Sequence, residues 1–276
     1  MNKVWFVTGA SSGFGRAITE AALADGDVVI GSARRAAALD DLVAAHPDQV
    51  EALALDVTDT RAAEAAVADV LARHGRIDVL VNNAGRTHVG AVEETTDDEL
   101  RALFDVHVFG PAALTRAVLP AMRERRSGAI VQLSSMGGQL SFAGFGAYSA
   151  TKFALEGLSE ALADEVREFG VRVLIVEPGA FRTGLFKGGT AGASADGGHY
   201  PAVTGTREMV AAGDGSQPGD PAKAAALVLA ALAAPDAPLR LPLGEDAVSA
   251  VLAHADQVRA EVTAWEKRTR DTALEE

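Results

Sequence analysis

The sequence contains no cysteine. Disulfides, thiolate catalysis and cysteine-ligated zinc or iron–sulfur centres are thereby excluded, and the composition agrees with a reducing compartment. Positive charge is scarce as well. Lys and Arg number 25 against 38 Asp and Glu, giving a formal net charge of −13. Such a chain repels nucleic-acid phosphates and anionic membrane surfaces, so neither is expected as a partner. Long hydrophobic runs are missing too. The alanine-rich stretch Ala224–Ala234 is about half of the roughly 20 residues that span a bilayer. Met1–Thr8 runs straight into an apolar strand, without the basic region, longer apolar region and cleavage site of a secretory leader. A cytoplasmic protein is expected. His46, His74, His88, His199 and His254 are scattered without ligand spacing, so no metal is expected.

What is present is an apolar, patterned chain of 276 residues, 48% hydrophobic and 23% charged. These values fit a large core, and an α/β protein of this size can be one domain, here 1–276. Short Val/Ile/Leu-rich runs read as strands at Lys3–Thr8, Val28–Ser32, Val50–Leu55, Ile77–Val81, Ala129–Ser134 and Val171–Glu177. Their near-continuous apolar content implies burial on both faces, as in a parallel sheet. Alanine-rich segments of helical period lie between them. Thr96-Asp97-Asp98-Glu99 has the form of a capping box, and Asp220-Pro221 that of a helix start. The alternation predicts a Rossmann-type doubly wound parallel sheet flanked by helices. After the sixth strand the pattern breaks. Residues 184–219 are rich in Gly, Ala and Ser, with little strand signal. Because they follow the C-terminal end of a strand, where such sheets bind ligands, they read as a flexible lid over a substrate pocket. Arg240–Leu243 can form a last strand, and Asp246–Thr272 a terminal helix.

The first strand ends in Thr8-Gly9-Ala10-Ser11-Ser12-Gly13-Phe14-Gly15, followed by a helix. Glycines allow a tight turn and close approach of a pyrophosphate, and a helix N-terminus offers free N–H groups. An ordinary strand–helix turn is the plain alternative; the position after strand one favours a nucleotide. At the end of strand two stands Ala33-Arg34-Arg35, with no acid for the ribose hydroxyls of NAD(H). Arg34 can grip a 2′-phosphate bidentately and Arg35 can stack on adenine or add charge, which favours NADP(H) over NAD(H). Asp56, with Val57 beside it, is placed to meet the adenine edge.

Tyr148-Ser149-Ala150-Thr151-Lys152 opens a helix, so Tyr148 and Lys152 share a face one turn apart. A nearby ammonium favours phenolate, and Tyr148 can then exchange a proton with an alcohol or alkoxide. Lys152 can also bond the nicotinamide ribose. Ser135, thirteen residues before Tyr148 at a strand end, can polarise a carbonyl oxygen. No Gly-x-Ser-x-Gly elbow surrounds it, which argues against a serine nucleophile.

Together these features resemble the short-chain dehydrogenase/reductase family over residues 3 to about 185. The motifs stand in family order: Thr8-Gly9…Gly13…Gly15, Asp56-Val57, Asn82-Asn83-Ala84-Gly85, Ser135, Tyr148…Lys152 and Pro178-Gly179…Thr183. The resemblance implies hydride transfer at the nicotinamide C4. It implies that Asn83, with Ala84 and Gly85, braces the sheet and borders the adenosine side. It places Pro178, Gly179 and Thr183 at the nicotinamide end. It also implies a homodimer or homotetramer built partly on helices near 98–125 and 150–169. One position departs: His107 stands where the family has an asparagine that supports a proton-relaying water. The histidine either keeps that relay and adds its own titration near neutrality, or fills the helix bend structurally. Gly137–Gly146, Thr87–Val89 and the lid should form the substrate pocket. Leu140, Phe142 and Phe145 are either its apolar wall or core beneath the loop.

The expected activity is NADP(H)-dependent hydride transfer to or from a carbonyl or secondary alcohol of a hydrophobic small molecule. The rival is a catalytically silent nucleotide-binding sensor or scaffold on the same fold; the intact Ser135, Tyr148 and Lys152 speak against it.

Overall fold

The β1 residues Val4–Thr8 are all buried, and their alternation divides the core in two. Trp5 and Val7 face one side of the sheet with Ile18 and Val228; Val4 and Phe6 face the other with Val67, Leu114 and Leu162. A strand points successive side chains to opposite faces, so only a sheet covered on both sides buries such a run.

The computed structural model describes residues 2–186, 191–213 and 215–274. In chain order the elements are β1, α1 (Gly13–Ala24), β2 (Val28–Ala33), α2 (Asp40–Ala45), β3 (Val50–Ala54), α3 (Thr60–His74), β4 (Val79–Asn82) and β5 (Thr87–Val89). Then come α4 (Asp97–Phe104), α5 (Gly110–Arg125), β6 (Gly128–Leu133), α6 (Gly146–Val166) and β7 (Val171–Pro178). The last are β8 (Ala191–Ala193), α7 (Pro201–Gly213), α8 (Pro221–Ala233), β9 (Arg240–Leu243) and α9 (Glu245–Arg270).

Seven strands form one parallel sheet in the order β3-β2-β1-β4-β6-β7-β9. The order reverses between β1 and β4, which opens a crevice at their C-terminal ends, the place where doubly wound sheets take ligands. Both helix starts read from the sequence are present. Thr96 and Glu99 form a reciprocal capping box at α4, and Asp220 caps α8 ahead of Pro221. Asp105–Phe109 is a single wide turn of π-helix that joins α4 to α5. The continuous helical run Asp97–Arg125 is long and apolar enough by composition to cross a membrane, but half of its apolar window is buried. Its Leu114, Val118 and Met122 belong to the core.

The described part of residues 184–219, read from the sequence as a flexible lid with little strand signal, contains regular structure. It holds β8, which pairs in parallel with β5 as a separate two-stranded sheet, and then the thirteen-residue α7. Residues 187–190 and 214 of that range lie outside the described residues. Polar contacts fasten the described part to the 88–99 region. Arg207 pairs with Glu94 at 3.0 Å, Gly197 N–H donates to Glu94 at 2.8 Å, and Ser194 Oγ lies 2.8 Å from His88 Nε2. Tyr200 donates its hydroxyl to Glu93. Alongside the buried Val203 and Val210 of α7, these polar partners hold the segment, and hydrophobic patterning carries no signal for them.

Candidate active site

A cleft of about 580 Å³ opens over the crevice between β1 and β4. Gly9, Ser11, Ser12, Gly13 and Phe14 form one wall; Arg34, Asp56 and Val57 close the far end. Asn83, Ala84, Gly85 and His107 lie along its floor, and Ser135, Tyr148, Lys152, Pro178, Gly179 and Thr183 close the other end. Two residues expected there do not border it. Arg35 is exposed at the start of a short 3-10 turn. Gly15 is buried behind the turn, where a Cβ would strike the carbonyl oxygen of Gly9 and the side chain of Asn83. Its lack of a side chain serves helix–strand approach rather than ligand contact.

The turn is held open by Thr8 and Asn83. Thr8 Oγ1 donates to Val81 O at 3.1 Å and accepts from Asn83 N at 2.9 Å and Ala84 N at 3.0 Å. Asn83 Nδ2 donates to Thr8 O at 2.8 Å and Gly9 O at 3.2 Å. This ladder clamps the ends of β1 and β4. Gly13 has φ +55, and a Cβ there would meet Thr183 Cβ at 3.0 Å, so the turn lies directly against the 178–183 loop. That loop has an anchor the sequence reading missed. Asp246 at the start of α9 accepts from Ala180 N at 2.7 Å, and a Cβ on Gly179 would collide with the same carboxylate.

At the Arg34 end of the cleft, Thr58 donates to Asp56 from its backbone at 3.0 Å and its hydroxyl at 2.8 Å. These bonds, helped by the Arg34 and Arg86 charges, hold Asp56 below the usual carboxylate range. Arg86 is the second exposed guanidinium bordering the cleft, a residue the motif reading passed over because it lies one position beyond Asn82-Asn83-Ala84-Gly85.

Helix α6 carries both Tyr148 and Lys152. Tyr148, Lys152, Leu155, Ser159, Leu162 and Val166 are buried on its inner side, at the three- and four-residue spacing of one face. Lys152 Nζ donates to Leu133 O at 2.7 Å and sits 5.7 Å from the Tyr148 ring centroid. Burial lowers Lys152 to about 8, opposed by Glu156 one turn on. Burial pushes the Tyr148 phenol up, opposed by the Ser135 hydroxyl. The sequence reading expects the ammonium to lower Tyr148; in the folded protein desolvation is the larger influence and raises it. Ser135 Oγ accepts from Gly137 N at 3.0 Å, which leaves its own proton for another acceptor.

His107 lies in the π-turn and is fully buried, its ring edge-on to Tyr148 with centroids 5.6 Å apart. Thr151 spends its hydroxyl proton on Tyr148 O at 2.7 Å. The 2.8 Å contact with Thr151 Oγ1 must therefore be donated by His107 Nδ1–H. His107 Nε2 then accepts from Arg86 N at 3.1 Å. Both nitrogens are used by a neutral ring. Burial, with Lys152 and Arg86 adding to it, drives His107 well below its ordinary value of 6.5. The geometry favours a structural pin between the Arg86 backbone and α6 over a group that titrates near neutrality.

Behind Lys152 lies a buried carboxylate pair. Gln139 Nε2 donates to Glu177 at 2.8 Å and Glu156 at 3.3 Å, and Arg240 Nε approaches them at 3.6 and 3.1 Å. Burial, reinforced by Glu156, pushes Glu177 up to about 7 from an ordinary 4.5. The folded protein thus holds a proton that the unfolded chain releases. The stability this contributes is complete below pH 4.5 and is lost as pH rises through about 7. The thermal midpoint should fall between about pH 5 and pH 8, and Glu177→Gln should flatten that fall. Parallel curves for the two proteins would refute the assignment.

Among the described residues, no three His, Asp or Glu side chains gather as a metal-ligand set. A second concavity of about 560 Å³ lies between Val92, Phe142, Gly144, Tyr200 and Val203. Phe142 is thus a half-exposed wall of this groove, and Phe145 packs on Tyr148 with ring centroids 6.1 Å apart.

Comparison with known proteins agrees with this architecture. A model of the family described as short chain dehydrogenase matches residues 3–192. An oxidoreductase of Botryotinia fuckeliana (strain B05.10) is 38% identical over 276 residues, 99% of either chain. The crystal structure of a short-chain dehydrogenase from Streptomyces avermitilis is 64% identical, with TM-score 0.92 over 99% of this chain and 98% of that one. A metagenomic short-chain oxidoreductase in complex with NADP is 38% identical, with TM-score 0.61 over 65% of this chain and 83% of that one. With the motifs, the sheet order and the matched span in agreement, this chain belongs to the short-chain dehydrogenase family of oxidoreductases.

Proposed function

We propose that the protein transfers a hydride between NADP(H) and a carbonyl or secondary alcohol on a small molecule with a hydrophobic body. One observation carries the reading: the glycine turn, Arg34, and Ser135 with Tyr148 and Lys152 border a single cleft.

The cleft suits a dinucleotide. The N-terminus of α1 and the Gly13 backbone face the place for a pyrophosphate, and no side chain projects from the turn's glycines into it. When bound, the nicotinamide supplies the site that gives or takes the hydride. The protein's own groups handle the oxygen and its proton. Ser135 donates its free proton to the substrate oxygen and polarises the carbonyl. Tyr148 gives its phenolic proton to that oxygen in reduction and takes one in oxidation. As the phenol loses its proton, the Lys152 ammonium supplies the opposite charge in a buried setting, where the pairing is strongest. His107 and Thr151 hold the Tyr148 turn in place. The apolar groove beside Phe142 and Val92 supports a hydrophobic substrate body. The docked segment 191–213, together with Leu185 and Phe186 at the cleft, supports a lid. The exposed Phe109, Phe153 and Leu158 support an oligomer built on the helices around 98–125 and 150–169.

NADP(H) is preferred because Ala33, Arg34 and Arg86 offer no acid and two guanidinium groups near the adenosine end. Arg34→Ala should weaken NADPH by ~10- to 100-fold, the worth of one charged hydrogen-bonded contact, and leave NADH nearly unchanged. Parallel titrations with both cofactors decide this, and equal losses would overturn the 2′-phosphate assignment. The activity itself is tested by following NADPH oxidation against ketones, aldehydes and quinones.

A further inference from the structure

The terminal helix α9 is 26 residues long and buries only Ala247. Its N-terminal part packs on β9 and on the Met136–Gly138 turn, and Asp246 ties it to the 178–183 loop; Ala250, Val251 and His254 are partly covered, and from Ala255 onward every described residue of the helix is exposed. A helix without tertiary packing is marginal in water, because its ordering is compensated by little else. Yet this one carries a regular apolar seam. Val248, Val251, Ala255, Val258, Val262 and Trp265 recur at alternating three- and four-residue steps, the seven-residue repeat of a helix that packs along another helix. Trp265 is 57% exposed, Val262 62%, and Leu252, flanking the seam, 61%.

Charge along the helix is polarised. Residues 245–257 carry Glu245, Asp246 and Asp256 and no Lys or Arg. Residues 258–270 carry Arg259, Lys267, Arg268 and Arg270 against Glu261 and Glu266. A parallel pair would set each end against its own charge. An antiparallel pair sets the acidic half of one helix along the basic half of the other. The seam allows such a pairing with every layer filled. Val248 falls level with Trp265 of the second copy, Val251 with Val262, and Ala255 with Val258. In the same register Arg268 stands level with Glu245 of the other copy, and Lys267 with Asp246.

We infer that α9 is a self-association element, pairing antiparallel with α9 of a second copy of this chain along the Val248–Trp265 seam. This surface is separate from the α4–α6 helices and independent of which substrate the cleft takes. Burying both seams covers the exposed apolar side chains and closes a two-fold contact.

The chain lacks cysteine, so disulfide trapping is unambiguous. Val248→Cys and Trp265→Cys variants should each fail to cross-link alone, because the antiparallel register separates like positions by ~25 Å at the helical rise. Mixed and oxidised, they should form a covalent dimer. Val258→Glu/Val262→Glu should sediment with half the mass of the native protein and bind NADPH as the native protein does. Cross-linking of a single variant alone, no cross-link in the mixture, a monomeric native protein, or an unchanged mass for the double variant would overturn the inference.

Discussion

Tyr148→Phe should lose ~10³-fold or more of carbonyl-reducing turnover, the upper part of the range for removing a general acid, while binding NADPH as tightly as the native protein. The structure explains why the loss should be confined to chemistry. The ring's neighbours, His107 at 5.6 Å and Phe145 at 6.1 Å between centroids, are met equally well by phenylalanine. Thr151 bonds the Tyr148 carbonyl, not the phenol, so the helix turn keeps its pin. Lys152 keeps Leu133 O. Only the hydroxyl beside Ser135 disappears. Steady-state rates with any substrate found in the carbonyl panel, set beside a cofactor titration, separate the two effects. A variant that turns over at the native rate would remove Tyr148 from the mechanism, and with it the reading of the cleft as a reductase site.

Gly15→Ala should be the most damaging single-carbon addition in the cofactor site. The new Cβ would fall on the carbonyl oxygen of Gly9 and the amide of Asn83. Neither can step aside. Gly9 O accepts from Asn83, and Asn83 also bonds Thr8 O at the end of the central strand. The first turn of α1 must therefore move away from the strand, carrying its N–H groups with it. Overpacking of this kind costs ~1–3 kcal/mol of stability. The cost to NADPH should be ~100-fold, since the phosphate cradle is the part displaced. Gly157→Ala is the matched control. A Cβ there meets nothing within 4 Å, and alanine in a helix interior is favoured over glycine, so that variant should be neutral or slightly stabilised. Calorimetry and an NADPH titration on both variants check the contrast. Equal behaviour of the two would mean that the close approach at Gly15 is not what shapes the cradle.

The central sheet and its glycine turn were legible because their signals are local. Apolar runs bounded by turns, a capping box at Thr96 and a four-residue Tyr148–Lys152 spacing each depend on neighbours in sequence. Arg35 shows the limit of that reading. Adjacent in sequence to Arg34, it leaves the cleft because successive residues at a strand end point apart. Arg86 and Asp246 were missed for the converse reason. Arg86 follows a motif without belonging to it, and Asp246 lies 66 residues from the Ala180 amide it holds. The β5–β8 pairing was invisible because three-residue strands without alternation carry almost no pattern.

Residue identity and spacing alone determined the parallel α/β architecture, the absence of any cysteine chemistry, and which side chain types the motifs offer. Tertiary structure decided how those groups behave: that burial raises the Tyr148 phenol, that burial with the Lys152 and Arg86 charges lowers His107, that Gly15 is a contact between elements, and that most of α9 stands uncovered. The division follows from range. Periodicity and capping are set within a turn or two of chain, whereas desolvation, hydrogen-bond pairing and collision depend on residues that only folding brings within a few ångströms of one another.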